Sequence, residues 1–120
     1  MEKLTKAEER IMQALWELER AALGDIRSAL PKGEKIPPTT VASMIKVLVK
    51  KGYVGYETFG RTNIYTPNFS KSDYRKFLMN SMVSNYFDGS FKKMVSFFAK
   101  EEKLDKSDIE DLLKELEDEA

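Results

Sequence analysis

Pro37-Pro38-Thr39-Thr40-Val41-Ala42-Ser43-Met44-Ile45-Lys46-Val47-Leu48-Val49-Lys50-Lys51-Gly52 is the stretch whose reading decides the fold. Proline at a helix start loses nothing, because its missing N–H would have no intrahelical acceptor there, and glycine past the end supplies the backbone freedom that a stop needs. The spacing therefore predicts one helix between Pro37 and Gly52. At about 100° per residue, Val41, Met44, Ile45 and Leu48 fall on one face, and Thr39, Ser43, Lys46 and Lys50 on the opposite one. The first face packs and the second meets something polar. Hydroxyls near the N-terminal end and ammonium groups farther along are the chemistry that hydrogen-bonds base edges and neutralises phosphates, which makes this helix a candidate DNA reader. Taken alone, the stretch fits an ordinary amphipathic surface helix equally well, since Thr, Ser and Lys are common on solvated faces.

Its neighbours narrow the choice. Leu4-Thr5-Lys6-Ala7-Glu8 opens a first helix, with Thr5 as N-cap and Glu8 three residues on completing a capping box. Ile11, Met12, Leu15, Trp16 and Leu18 line that helix to about Glu19. Trp16 has the surface to stack on a base, but a lone Trp on an apolar helical face is more often packing. Gly24-Asp25 offers a second helix start, running through Ile26, Ala29 and Leu30 until Pro31 stops it. Residues 31–35 read as a polar turn. After Gly52 the pattern changes to β-branched and aromatic residues: Tyr53, Val54, Tyr56 and Phe59, then Ile64, Tyr65 and Thr66-Pro67. They flank Phe59-Gly60-Arg61-Thr62-Asn63 and predict a hairpin with Arg61 at its tip. Helix, helix, turn, helix, hairpin is the winged helix-turn-helix plan, in which the third helix enters the major groove and the hairpin touches the backbone or adjacent minor groove.

A chain of 120 residues holds one domain, or a small domain with an appendage. Apolar content of 42% with 33% charged residues suits a soluble folded protein; no long uncharged apolar run suggests a membrane span and no secretory signal precedes Lys3, so a cytoplasmic location is expected. With no Cys and no His, thiolate chemistry, zinc sites of the usual ligand type and imidazole acid–base catalysis are excluded. The acids form no recognisable hydrolytic motif, so an enzyme is not expected. The zero net charge hides an asymmetry: residues 31–70 hold six Lys/Arg against two acids, residues 71–100 six against two, and residues 101–120 three against ten. A basic middle and an acidic tail fit a nucleic-acid patch followed by a solvated terminal helix.

Seven of the twelve Phe and Tyr residues fall after residue 70. Tyr74, Phe77, Leu78, Met82, Val83 and Tyr86 form one helical stripe; Phe91, Met94, Val95 and Phe98 form another after the Asp88-Gly89 break; and a last helix starting between Asp105 and Asp108 carries Ile109, Leu112, Leu113 and Leu116. Three short amphipathic helices in a row point to a partner, and a two-fold dimer is the commonest outcome. The alternative folds them back on the winged helix as monomer core. A dimer would place two reading heads on one palindrome at high effective concentration.

The chain resembles the penicillinase repressor and methicillin-resistance regulator family (BlaI/MecI type). The resemblance spans nearly the whole chain. It is carried by Leu4-Thr5-Lys6-Ala7-Glu8 with Ile11 and Leu15-Trp16; by Thr40-Val41, Leu48 and Lys50-Lys51-Gly52-Tyr53; and by Gly60-Arg61, Tyr65 and Pro67. Farther on come Gly89-Ser90-Phe91, Phe98, Lys103-Leu104 and Ile109-Glu110-Asp111-Leu112. No single motif decides; the ordered set is fairly specific. The resemblance implies a transcriptional repressor with an N-terminal winged helix on a palindromic operator and a C-terminal helical part that dimerises. It also implies induction by a sensor metalloprotease pathway that cuts an Asn–Phe bond in the C-terminal part. The matching bond here is Phe97–Phe98, with Phe97 where the family has Asn. Copper-responsive relatives sense metal through C-terminal Cys pairs, which this chain lacks. Val47 stands where the family commonly carries Arg.

These readings predict a mainly α chain with a small β-hairpin: a winged-helix DNA-binding domain over residues 1–70 and a three-helix dimerisation region over 71–120. The expected DNA contacts are Thr39, Thr40, Ser43, Lys46, Lys50 and Arg61. The expected dimer contacts are Tyr74, Phe77, Leu78, Met82, Phe91, Met94, Val95, Phe98, Leu112 and Leu116. No catalytic residue, metal or cofactor is expected. The expected partners are double-stranded operator DNA, a second copy of the chain and a sensor protease, with no membrane. Two other readings stay open: a winged helix used for contact with an acidic protein, and a regulator responding to a small ligand.

Overall fold

The computed structural model describes residues 1–31 and 36–119. The polar turn expected over residues 31–35 lies, beyond Pro31, outside the described residues. Helix α1 spans Lys6–Leu18, and its capping box is made: the Thr5 hydroxyl accepts from Glu8 N–H at 3.2 Å and a Glu8 carboxylate oxygen accepts from Thr5 N–H at 2.9 Å. Ile11, Met12 and Leu15 then lie fully buried on its inner side, each burial contributing about 1.5–3 kcal/mol. Helix α2, Leu23–Ala29, begins earlier than expected, on Ala22 and without a side-chain cap; Asp25 sits inside its first turn.

Helix α3 spans Pro38–Lys50, between the proline and glycine signals. Its stop is a Schellman motif: Gly52, at φ +84°, donates its N–H to Val49 C=O at 3.0 Å, and Tyr53 donates to Leu48 C=O at 2.9 Å. Leu48 and Tyr53 are both buried, as that motif's apolar clasp requires. Val41, Ile45 and Leu48 are buried and Met44 is half-buried, so the inner face is the one that periodicity assigned.

Strands β1, Val54–Phe59, and β2, Thr62–Pro67, pair antiparallel with Phe59 opposite Thr62, leaving Gly60-Arg61 as the turn. Gly60 takes φ +63°, which glycine adopts at no steric cost. Ala21 adds a short third rung by exchanging two backbone hydrogen bonds with Tyr65, at 3.1 and 2.8 Å. The hairpin is thereby fastened to the α1–α2 connection.

Helix α4 spans Lys71–Tyr86. The first compact unit runs from Met1 to Leu78, so it takes in the start of α4 and passes the boundary expected at residue 70. The cause is local. Tyr74 is buried against Trp16, with ring centroids 5.8 Å apart, and its hydroxyl accepts from Leu4 N–H at 2.9 Å. Trp16 in turn donates its indole N–H to Phe69 C=O at 2.8 Å. Phe77 and Leu78 pack half-buried on the same core. Tyr74, Phe77 and Leu78 therefore belong to the core of the first unit rather than to a free dimer face. Trp16 is a packing residue.

The second unit, from Met79 onward, contains the rest of α4, helix α5 at Phe91–Glu101 and helix α6 at Lys106–Glu119. Ser90 caps α5 by accepting from Lys93 N–H, and Asp105 and Asp108 exchange side-chain-to-backbone hydrogen bonds at 2.9 and 3.1 Å to start α6. Val83 is buried, and the Phe87 and Phe97 rings lie 5.5 Å apart. Every described side chain from Asp105 to Asp118 is exposed.

Candidate nucleic-acid interface

The outward face of α3 carries Thr39, Thr40, Ser43, Lys46 and Lys50, all exposed. A helix of this length is about 20 Å long and fits lengthwise into a major groove. Ser43 Oγ donates to Thr39 C=O at 3.0 Å, so its single proton is engaged and it presents acceptor lone pairs outward. The C-terminal lysines divide their roles: Lys46 and Lys50 reach solvent, whereas Lys51 turns back to α1. Its ammonium lies 3.0 Å from the Glu8 carboxylate, whose side chain is 7% exposed. Burial raises the Glu8 pKa, but the Thr5 backbone N–H, the Lys51 ammonium and the Thr5 hydroxyl outweigh it and hold the carboxyl below its ordinary value. Glu8 also pushes the Lys51 pKa up.

Sequence reasoning found the capping role of Glu8 and missed this second one, because Lys51 is 43 residues away. It also missed Arg27, whose Nε donates to Ile36 C=O at 3.2 Å and ties α2 to the approach of α3. Val47, which stands where the family commonly carries Arg, is 46% exposed toward the Thr40 side of the outward face. A helical wheel places it about 40° from Ser43, which was the available signal. Glu8, Thr39, Thr40, Ser43, Met44 and Val47 border a recess of about 320 Å³. Arg61 stands exposed in the turn between β1 and β2.

In the second unit, Met82, Phe91, Val95, Phe98, Leu112 and Leu116 are exposed, and Met94 is half-buried. Tyr86, Phe97, Ile109 and Leu113 add to that apolar surface. The Phe97–Phe98 bond lies inside α5 with both side chains exposed. Among the described residues no group of His, Cys, Asp or Glu is arranged to hold a metal ion, and no helix is long and apolar enough to cross a membrane.

The family model of the penicillinase repressor matches residues 4–118. The chain belongs to the penicillinase repressor family. This is a family of DNA-binding transcriptional repressors and not of enzymes. The penicillinase repressor of Bacillus licheniformis is 28% identical over 115 residues, 96% of this chain and 90% of the relative. The solution structure of the DNA-binding domain of the repressor BlaI is 31% identical with a TM-score of 0.53, covering 62% of this chain and 94% of that one. The monomeric form of Bacillus licheniformis BlaI, solved in complex with the blaP half-operator, is 30% identical with a TM-score of 0.52, covering 61% of this chain and 89% of that one. The family and the winged-helix fold expected from the residues are thus both found.

Proposed function

We propose that this penicillinase repressor family member is a homodimeric transcriptional repressor of a palindromic operator. In this reading α3 lies in the major groove and Arg61 meets the backbone or the adjacent minor groove. The observation that carries it is the exposed hydroxyl-and-lysine face of α3 beside an arginine-tipped hairpin, on a chain that over 61% of its length is 30% identical to a repressor solved with its half-operator. The hydroxyls suit base edges, and the lysines and Arg61 suit phosphates. The exposed apolar side chains of α5 and α6 support pairing, because a single copy leaves them in water. Induction in this reading is cutting of the Phe97–Phe98 bond by a sensor protease, after local unwinding of α5, which removes α6 from the paired region.

The test is a gel shift on duplexes selected from a random-sequence pool, repeated across salt concentrations. Operator binding weakens steeply with salt, at a log–log slope of about −0.9 per neutralised phosphate. Binding to no duplex, or binding without salt dependence, would overturn the reading and favour contact with an acidic protein.

A further inference from the structure

We infer that Val47 makes α3 a reader of thymine, its side chain meeting the C5-methyl group of one thymine per half-site together with Thr40 and Met44. The inference rests on α3 being the DNA-facing helix. A single exposed valine is ordinary on a protein surface. Its position is what matters: at about 100° per residue, Val47 lies one turn past Ser43, between the directions of Ser43 and Thr40. A duplex seated on Ser43 and Lys50 therefore covers Val47 as well.

The chemistry of the groove then narrows its partner. Valine offers no donor or acceptor. Opposite adenine N6, cytosine N4 or guanine O6 it would strip water from a polar group and return no hydrogen bond. The thymine C5-methyl is the apolar group among the base edges of the major groove. The recess of about 320 Å³ beside Val47 has Thr40 and Met44 in its wall and leaves ample room for a methyl group. Its acid, Glu8, does not repel the duplex, because its oxygens are taken by Thr5 N–H and the Lys51 ammonium at 2.9 and 3.0 Å.

The experiment uses the full chain and the duplex selected above. Each thymine in turn is replaced by deoxyuridine, which removes the methyl group and keeps base pairing and every polar atom. One thymine per half-site should lose about fourfold in affinity per methyl group. Val47→Ala, at an exposed position where folding tolerates it, should shrink the deoxyuridine penalty at that site, leaving only what Thr40, Met44 and the alanine methyl still contribute. Circular dichroism and the salt slope verify that the variant remains folded and docked. If no thymine responds to deoxyuridine, or if the penalty is the same in Val47→Ala, the assignment of Val47 is overturned while the repressor reading stands. Failure to bind any duplex overturns both.

Discussion

The Lys51 ammonium lies 3.0 Å from a Glu8 carboxylate oxygen, joining the C-terminal end of α3 to the first turn of α1. The same carboxylate caps α1 through Thr5 N–H, so one side chain fixes both a helix start and the seat of α3.

This link gives stability a pH dependence of definite sign. The Glu8 pKa in the folded chain lies below its ordinary value of 4.5. Its contribution is therefore fully present above that value and is lost as pH falls through the folded pKa. Glu8→Gln keeps the capping contact and removes the charge, so near neutral pH it should cost about 0.5–1.5 kcal/mol. Urea midpoints of the two proteins should converge on acidification below the ordinary carboxylate range. A gap of constant size would show that the ion pair adds nothing.

Tyr74 should behave as a core residue of the first unit. Tyr74→Phe leaves Leu4 N–H without its 2.9 Å acceptor, a loss of about 1–3 kcal/mol. Tyr74→Ala should cost about 3–5 kcal/mol, as for other large aromatic truncations. Thermal melts of residues 1–78 and 1–70 provide a second check, since only the longer piece contains Tyr74. Equal melting temperatures would return the start of α4 to the second unit.

The winged-helix order was legible because each boundary had a local chemical cause. Thr5 with Glu8, Pro37-Pro38 with Gly52, and Gly60-Arg61 between β-rich runs all act within a few residues. What escaped were contacts made across the chain. Trp16 and Tyr74 are 58 residues apart, and nothing in the periodicity of α4 says that its first turns pack on α1. The apolar stripe there was real, but a stripe records that a face is covered and not by what. The same limit hid the Lys51–Glu8 pair, since lysine at a helix end also suits the macrodipole. The outward side of α3 was readable from the wheel, whereas the engagement of the Ser43 proton by Thr39 depends on a rotamer.

On α3 and the wing, affinity and sequence choice should separate by residue. Ser43 presents lone pairs, so it suits an adenine or cytosine amino group, and Ser43→Ala should relax preference at one base pair by about 1–3 kcal/mol. Lys46→Ala or Lys50→Ala should weaken binding. Arg61→Ala should do so evenly across sequences and lower the salt slope by about one unit. Competition between selected and scrambled duplexes, with salt titration, measures both quantities. An unchanged slope in Arg61→Ala would take the wing out of the interface.

The last prediction concerns pairing. Helix α6 exposes Ile109, Leu112, Leu113 and Leu116, and no described side chain from Asp105 to Asp118 is buried. A helix of this length is marginal in water without a packed face, and in the proposed homodimer a second copy of the chain covers its apolar stripe. Phe91, Val95 and Phe98 on α5 extend that exposed surface. A chain ending at Phe97 lacks Phe98 and all of α6, and should sediment as a monomer. Its reading head is intact, so its affinity for an isolated half-site should be unchanged. On the full palindrome it should lose about 10²- to 10⁴-fold, the advantage that linkage confers by effective concentration alone. Under the proposed induction, cutting at Phe97–Phe98 would act in the same way: release by loss of pairing, with no change in the surface of α3. A shortened chain that stays dimeric and binds the palindrome as tightly as the full one would sink both the dimer assignment and release by cleavage.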